Sequence, residues 1–273
     1  MTTVVILGSR GMLGQAMVGH FSRSGARIVA LSRSEFDIAK DPFEKVLPRL
    51  NEATAVVNCA GVIKPMIVKT PIEDVLRVNA IFPRNLARAC AQRKIPLFQI
   101  TTDCAYSGRK GVYDENDLFD ADDVYGMTKS AGEPPDCMIL RTSIVGEENG
   151  QSRSLLEWAR RNAGKEIKGF VNHRWNGMTT LELAKGISTI LDRGLYQPRL
   201  FHVFSPQVVT KAELMQMISN AYDLKLRVTP VDAPEGCDRS LTSIHSLSGD
   251  IFVKPLPQQL SEMRRLFTPQ RVQ

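Results

Sequence analysis

A chain of 273 residues with 43% hydrophobic and 23% charged residues can bury a large core and has the balance of a globular protein, not of a disordered or fibrous one. Its net charge of +6 is scattered, the densest pairs being Arg160-Arg161 and Arg264-Arg265, which argues against a nucleic-acid protein and suits phosphate-bearing ligands instead. No apolar run approaches ~18 residues, and the five cysteines (59, 90, 104, 137 and 237) and four histidines lack metal-ligand spacing, so a membrane span, a metal site and a disulfide framework are all disfavoured.

The opening TVVILG, residues 3–8, predicts a buried strand. It has no basic n-region and ends at a glycine turn, so it does not read as a signal peptide. Gly8, Gly11 and Gly14 follow in GSRGMLG, and an apolar helical pattern continues over 12–24. A strand, a glycine-rich turn and a helix N-terminus make an anion site for a pyrophosphate, lined here by Gly8, Arg10, Gly11, Met12, Leu13 and Gly14. The spacing is G-x-x-G-x-x-G, and glycines also mark ordinary turns; the position directly after a buried strand favours the binding role.

Further strands are predicted at 27–32, 54–58, 96–101 and 137–142, and helices at 42–50, 72–94 and 123–133. This alternation predicts an α/β fold with a parallel sheet covered on both faces. The second half is less regular. Helices are expected near 152–163, 179–193, 211–222 and 256–267, and short strands near 200–204 and 226–231, with a loop-rich stretch at 232–255.

The chemistry is concentrated in TTDCAYSGRKGVYDENDLFDADDVYGMTKSAGE, residues 101–133. Tyr125 and Lys129 are four apart and share one helix face. An ammonium beside a phenol favours the phenolate, so the tyrosine can exchange a proton with a substrate oxygen. Thr102, at the end of an apolar run, supplies a hydroxyl for the same oxygen. Such a site reduces a carbonyl or oxidises an alcohol once a hydride carrier is present.

These features together resemble the extended short-chain dehydrogenase/reductase superfamily, and within it the dTDP-4-dehydrorhamnose reductase group of nucleotide-sugar reductases. The matching pieces are the glycine turn, Asn58-Cys59-Ala60-Gly61, Val78-Asn79-Ala80, Thr102-Asp103, Tyr125-Gly126 with Lys129, Gly132-Glu133 and Leu140-Arg141-Thr142-Ser143. The resemblance implies a Rossmann-type doubly wound parallel sheet with a small C-terminal substrate-binding lobe. Residues 1–150 would form the NAD(P)-binding domain, with helix 179–193 packing back onto it, and 151–273 mostly the substrate lobe. Thr102, Tyr125 and Lys129 are the expected catalytic residues, Tyr125 and Lys129 also meeting the cofactor. Asp37-Ile38, Cys59, Ala60, Gly61 and Lys64 are expected along the cofactor, although plain core packing also accounts for Ile38. Asn79 is expected to brace the site.

The second strand ends in Leu31-Ser32-Arg33, with no acid to bond the ribose hydroxyls of NAD. Ser32 and Arg33, with Arg10, suit a 2′-phosphate, so NADP(H) is preferred over NAD(H); Arg33 also reads as a surface residue. On the substrate side, Asp103, Cys104, Arg174, Trp175 and Arg239 are candidates. Cys104 follows Thr102 by two positions, the offset of a catalytic cysteine in the related epimerase-reductases, while burial as a small apolar residue is the simpler account. No histidine partner stands in Gln151–Ser154.

The expected function is NADPH-dependent reduction of the 4-keto group of a nucleotide-linked 4-keto-6-deoxy sugar, in cytoplasmic synthesis of surface-polysaccharide precursors. Two alternatives are an epimerase or epimerase-reductase using Cys104, and a non-catalytic NADP-binding regulatory subunit. A nucleotide sugar is the expected partner, with no nucleic acid, membrane or metal, and a homodimer is a family-level expectation.

Overall fold

The computed structural model describes residues 2–148 and 154–267. Five parallel strands, β1 (Thr3–Leu7), β2 (Arg27–Leu31), β3 (Ala55–Asn58), β4 (Leu97–Thr102) and β5 (Met138–Thr142), join a late strand, Leu200–His202, in one six-stranded sheet. The order is β2-β1-β3-β4-β5 followed by Leu200–His202, all neighbours parallel. Alternate side chains of β1 enter two cores, Val4 and Ile6 one, Val5 and Leu7 the other. Helices cover both faces, which is why TVVIL is buried along its whole length instead of alternating.

On the first face, Met17 and Phe21 of helix α1 (Met12–Arg23) pack with Ala184 and Ile187 of the helix Thr180–Asp192. On the second, Leu86, Ala87 and Cys90 of the helix Phe82–Gln92 meet Val46 and Leu50. The chain runs from β1 outward to β2, then crosses back to β3. That reversal opens a crevice at the carboxyl ends of the strands, where α/β sheets bind ligands.

The five predicted strands of the first half are present within a residue or two of their expected limits. The helix expected over 72–94 is interrupted: Ile72–Leu76 and Phe82–Gln92 are α-helical, and Arg77–Ile81 between them is a π-helix. Pro83 has no N–H to return to the carbonyl of Asn79, so the turn widens there. The expected helix over 42–50 is split into a 3₁₀ turn, Phe43–Val46, and an α turn, Leu47–Leu50.

Residues beyond β5 build a second core around Leu156, Ile167, Trp175, Leu214, Met215, Ile218, Leu256 and Leu260. The helices Leu155–Arg161, Lys211–Tyr222 and Leu256–Phe267 lie close to the expected ranges, though Gln151–Arg153 fall outside the described residues. Short strands, of which only Arg227–Val231 was expected from the sequence, tie this part together. Glu166–Phe170 pairs with Arg227–Val231, and His173–Trp175 lies between Val209–Thr210 and Cys237–Asp238. Two to five mostly polar residues carry too little periodicity to announce a strand.

Candidate active site

The glycine turn leaves β1 with Gly8 at φ +71°, a conformation that L side chains rarely adopt. A Cβ on Gly14 would lie 2.1 Å from the Gly8 carbonyl oxygen, so only glycine lets α1 start this close to the turn. Gly11 is the N-cap of α1, no side chain caps it, and its first turn holds no acid. The free N–H groups and positive dipole end are therefore left for an external anion. These residues fit the pyrophosphate of a dinucleotide. Met12 is half-buried, Leu13 is buried and Arg10 is exposed beside them.

At the end of β2 the structure corrects the sequence reading, which found no acid there. Glu35 folds back so that its carboxylate accepts from the Ser32 N–H (2.9 Å), the Ser32 hydroxyl (2.5 Å) and the Ser34 hydroxyl (2.7 Å). These bonds, the Ser32 hydroxyl first, hold the Glu35 carboxyl down to about 2, with the Arg10 charge contributing. Arg33 is exposed. Asp37 turns inward on its own loop, accepting from the Ala39 N–H at 3.0 Å, and Ile38 packs against the core on the second face of the six-stranded sheet.

The loop Asn58–Gly61 follows β3 and lies against Gly8 and Lys129. The Ala60 nitrogen would be 2.8 Å from a Cβ on Gly8, and the Lys129 Nζ 3.7 Å from one on Gly61. The Asn79 side chain clamps this loop: its Oδ1 accepts from the Val62 N–H (2.8 Å), and its Nδ2 donates to the Val62 carbonyl and the Thr128 hydroxyl, each at 3.1 Å. The π-turn thus braces both the loop and the helix Val124–Ala131. Lys64 opens a short helix and pairs with Asp123 at 2.6 Å, which ties it to the N-cap of the Tyr/Lys helix.

Thr102 ends β4, and its hydroxyl accepts from the Cys104 N–H (3.1 Å) and donates to Asp103 (3.3 Å). It is also in hydrogen-bond contact with the Tyr125 phenol. Gly126 permits this approach, since a Cβ there would sit 2.2 Å from the Cys104 carbonyl oxygen. Lys129 is buried and donates to the Ile100 carbonyl at 3.0 Å. Burial lowers its ammonium to about 8, against the opposing pull of Glu133. The expected lowering of Tyr125 by Lys129 is absent here: burial, then the neighbouring Cys104, pushes the phenol up, so it holds its proton. A protonated phenol is the form that donates to a carbonyl oxygen.

Asp103 is buried, and burial raises its carboxyl against the charges of Arg239 and Lys211. Cys104 is pushed up to about 12 by burial and by Asp103, so it remains a thiol. Arg239 donates to the Tyr106 carbonyl (2.7 Å) and the Ser107 carbonyl (3.2 Å), within electrostatic reach of Asp103. Arg174 lies farther out, 58% exposed and 3.5 Å from Asp238. Trp175 is not on the surface of this cleft: it is buried in the second core under the Lys211 ammonium, 5.2 Å from its ring centroid. Sequence reasoning missed Lys211. The available signal was a lysine at the first position of a helix, against the dipole, inside the capping box Thr210…Glu213.

A glycine turn at a sheet switch point, with Thr, Tyr and Lys residues at the ends of the neighbouring elements, is an arrangement that dinucleotide-binding α/β proteins share. Among these, the chain belongs to the family described as the RmlD substrate binding domain, which matches residues 1–251. It is 28% identical over 221 residues to a dTDP-4-dehydrorhamnose reductase of Mycolicibacterium smegmatis, covering 76% of this chain and 65% of that one. The chain thus spans a little under two thirds of that relative's length. It is 27% identical over 222 residues to a dTDP-4-keto-6-deoxy-D-glucose reductase of Streptomyces niveus, covering 78% of this chain and 76% of the relative. In fold it is similar to the crystal structure of a Bacillus anthracis dTDP-4-dehydrorhamnose reductase in complex with NADP, with a TM-score of 0.81 and 21% identity over 98% of this chain and 100% of that one.

Proposed function

We propose that the chain reduces the 4-keto group of a nucleotide-linked 4-keto-6-deoxy sugar, with NADPH preferred over NADH. It is an NAD(P)-dependent oxidoreductase of nucleotide sugars, and its reaction belongs to the synthesis of polysaccharide precursors. The observation that carries this reading is the approach of the Thr102 hydroxyl to the Tyr125 phenol at the end of β4, with the buried Lys129 amine beside the loop that touches the glycine turn.

The nicotinamide cofactor supplies a hydride when bound, held by the Gly8–Gly14 turn, the Ser32 region, the Cys59–Gly61 loop and Lys129. Thr102 orients the ketone oxygen by hydrogen bonding. Tyr125, kept protonated by its buried setting, donates the proton that turns the developing alkoxide into an alcohol. Lys129, beside the Asn58–Gly61 loop, would present its ammonium toward the ribose side of a bound cofactor. Asp103, with the charges of Arg239 and Lys211 acting on it, would meet the sugar and its phosphates. Cys104, held as a thiol at about 12, is poorly suited to removing a ring proton, which favours simple reduction over epimerisation.

The test follows oxidation of NADPH, with NADH in parallel, against a panel of 4-keto-6-deoxy nucleotide sugars in deuterated water. Turnover without ring deuterium, and a Tyr125→Phe variant slowed by roughly 10²–10⁴-fold, is the expected result. Ring deuterium would return Cys104 to an epimerase role. Full activity in Tyr125→Phe would remove the proposed acid.

A further inference from the structure

The end of β2 lies against the glycine turn, the Ser9 N–H donating to the Leu31 carbonyl at 3.2 Å. In dinucleotide folds this corner receives the adenosine ribose, and an acid about 20 residues past the glycine turn bonds its hydroxyls. Glu35 lies 21 positions after Gly14 (35 − 14). It arrives by a fold-back of the chain, so its position beyond Ser32 and Arg33 concealed it in the sequence.

The contacts at this corner form a cradle of donors. One backbone N–H and two hydroxyls, from Ser32 and Ser34, converge on one carboxylate, and the two hydroxyls are 2.9 Å apart. Arg10 contributes a positive field from the neighbouring turn. Hydroxyls, an N–H and an arginine are also the groups that bind a phosphate monoester. The carboxylate and a 2′-phosphate would therefore compete for the same donors, and two anions cannot share them without strong repulsion. A 2′-hydroxyl, by contrast, donates to the carboxylate and leaves it in place.

Resting on the cofactor reading above, we infer that Glu35 is a resident anion in the 2′-phosphate site: it must swing out for NADPH, and it narrows the difference in affinity between NADPH and NADH. When it leaves, Ser32, Ser34 and Arg10 take the phosphate; when it stays, it accepts from the ribose. Glu35 is thus a specificity-determining residue, with no part in the proton transfer.

The experiment measures dissociation constants by calorimetry for NADPH, NADH, 2′,5′-ADP and ADP, with wild type, Glu35→Ala and Glu35→Gln. The two adenosine ligands isolate the 2′-phosphate from the nicotinamide. Removal of the carboxylate is expected to tighten NADPH and 2′,5′-ADP about tenfold, while NADH and ADP are unchanged or weakened severalfold. Glu35→Gln, which retains length and hydrogen-bonding capacity, is expected to shift the same ratio in the same direction. If both variants bind 2′,5′-ADP no tighter than wild type, or weaken all four ligands equally, Glu35 only closes the turn and the inference falls. If wild type binds neither NADPH nor NADH, the cofactor reading falls and takes this inference with it.

Discussion

Lys129 sets the pH range of the cleft. Its ammonium is lowered to about 8 by burial, so the charge that faces the Asn58–Gly61 loop is present below that pH and lost above it. NADPH affinity is therefore expected to fall as pH rises through about 8, in a profile that Lys129→Arg flattens, since a guanidinium stays charged throughout. Calorimetric titration between pH 6 and roughly 9.5 checks it, and an identical profile in the variant would place the titration elsewhere. Thr102, Tyr125 and Lys129 were readable in the sequence as candidates because the chemistry proposed for them depends on residue type and a helical repeat. Glu35 and Lys211 were not, because each depends on where a turn returns the chain. Trp175 was misjudged for the same reason: an aromatic in a polar segment, HRWNG, looks available until the strand His173–Trp175 turns its ring into a core.

At the scale of elements, the site depends on how closely the Tyr/Lys helix approaches the end of β4. Gly126 sits where a Cβ would meet the Cys104 carbonyl oxygen at 2.2 Å and the Ala121 Cβ at 2.5 Å. Neither is the end of a flexible side chain, so Gly126→Ala must displace the helix. We expect a loss of about 1–3 kcal/mol in urea unfolding, together with a fall in turnover as Tyr125 leaves Thr102. Gly249→Ala is the control: it lies in the helix Leu247–Ile251 with open space around it, and is expected to be neutral or stabilising by about 0.5–1 kcal/mol. Equal effects at the two positions would remove the packing argument. The strands around this helix were legible as buried apolar runs. The π-turn that braces it was not, although Pro83 and Asn79 both stand in the sequence; one missing N–H widens a helix without altering its apolar pattern.

Over the whole molecule, the two halves of the chain meet in a buried polar network. Arg141, fully buried on β5, pairs with Glu133 at 2.5 Å and donates to the Tyr106 hydroxyl at 2.5 Å; it lies 2.9 Å from the His202 ring. The His202 N–H donates to Glu115, whose carboxylate also accepts from Ser243 and Ile244. Burial, then the Arg141 charge, lowers His202 to about 4. Between pH 4 and 6.5 the unfolded chain binds a proton that the folded chain refuses, so stability rises with pH across that window and is complete above it. The gain is on the order of 3 kcal/mol. Urea midpoints measured from pH 4 to 7 check this, and His202→Gln is expected to lower the slope; an unchanged slope would assign it to other groups.

The strand order has a consequence for how the chain is made. The sixth strand, Leu200–His202, and the helix Thr180–Asp192 close one edge and one face of a sheet whose other parts are complete by Thr142. During synthesis the first half must therefore wait for some sixty further residues (202 − 142) before β5 gains its outer neighbour and α1 its cover. Until then an unpaired edge and an apolar face stand open, the condition in which nascent sheets are exposed to mispairing. The two halves of the chain are thus joined in folding: the sheet of the first half cannot be finished without first threading through the second.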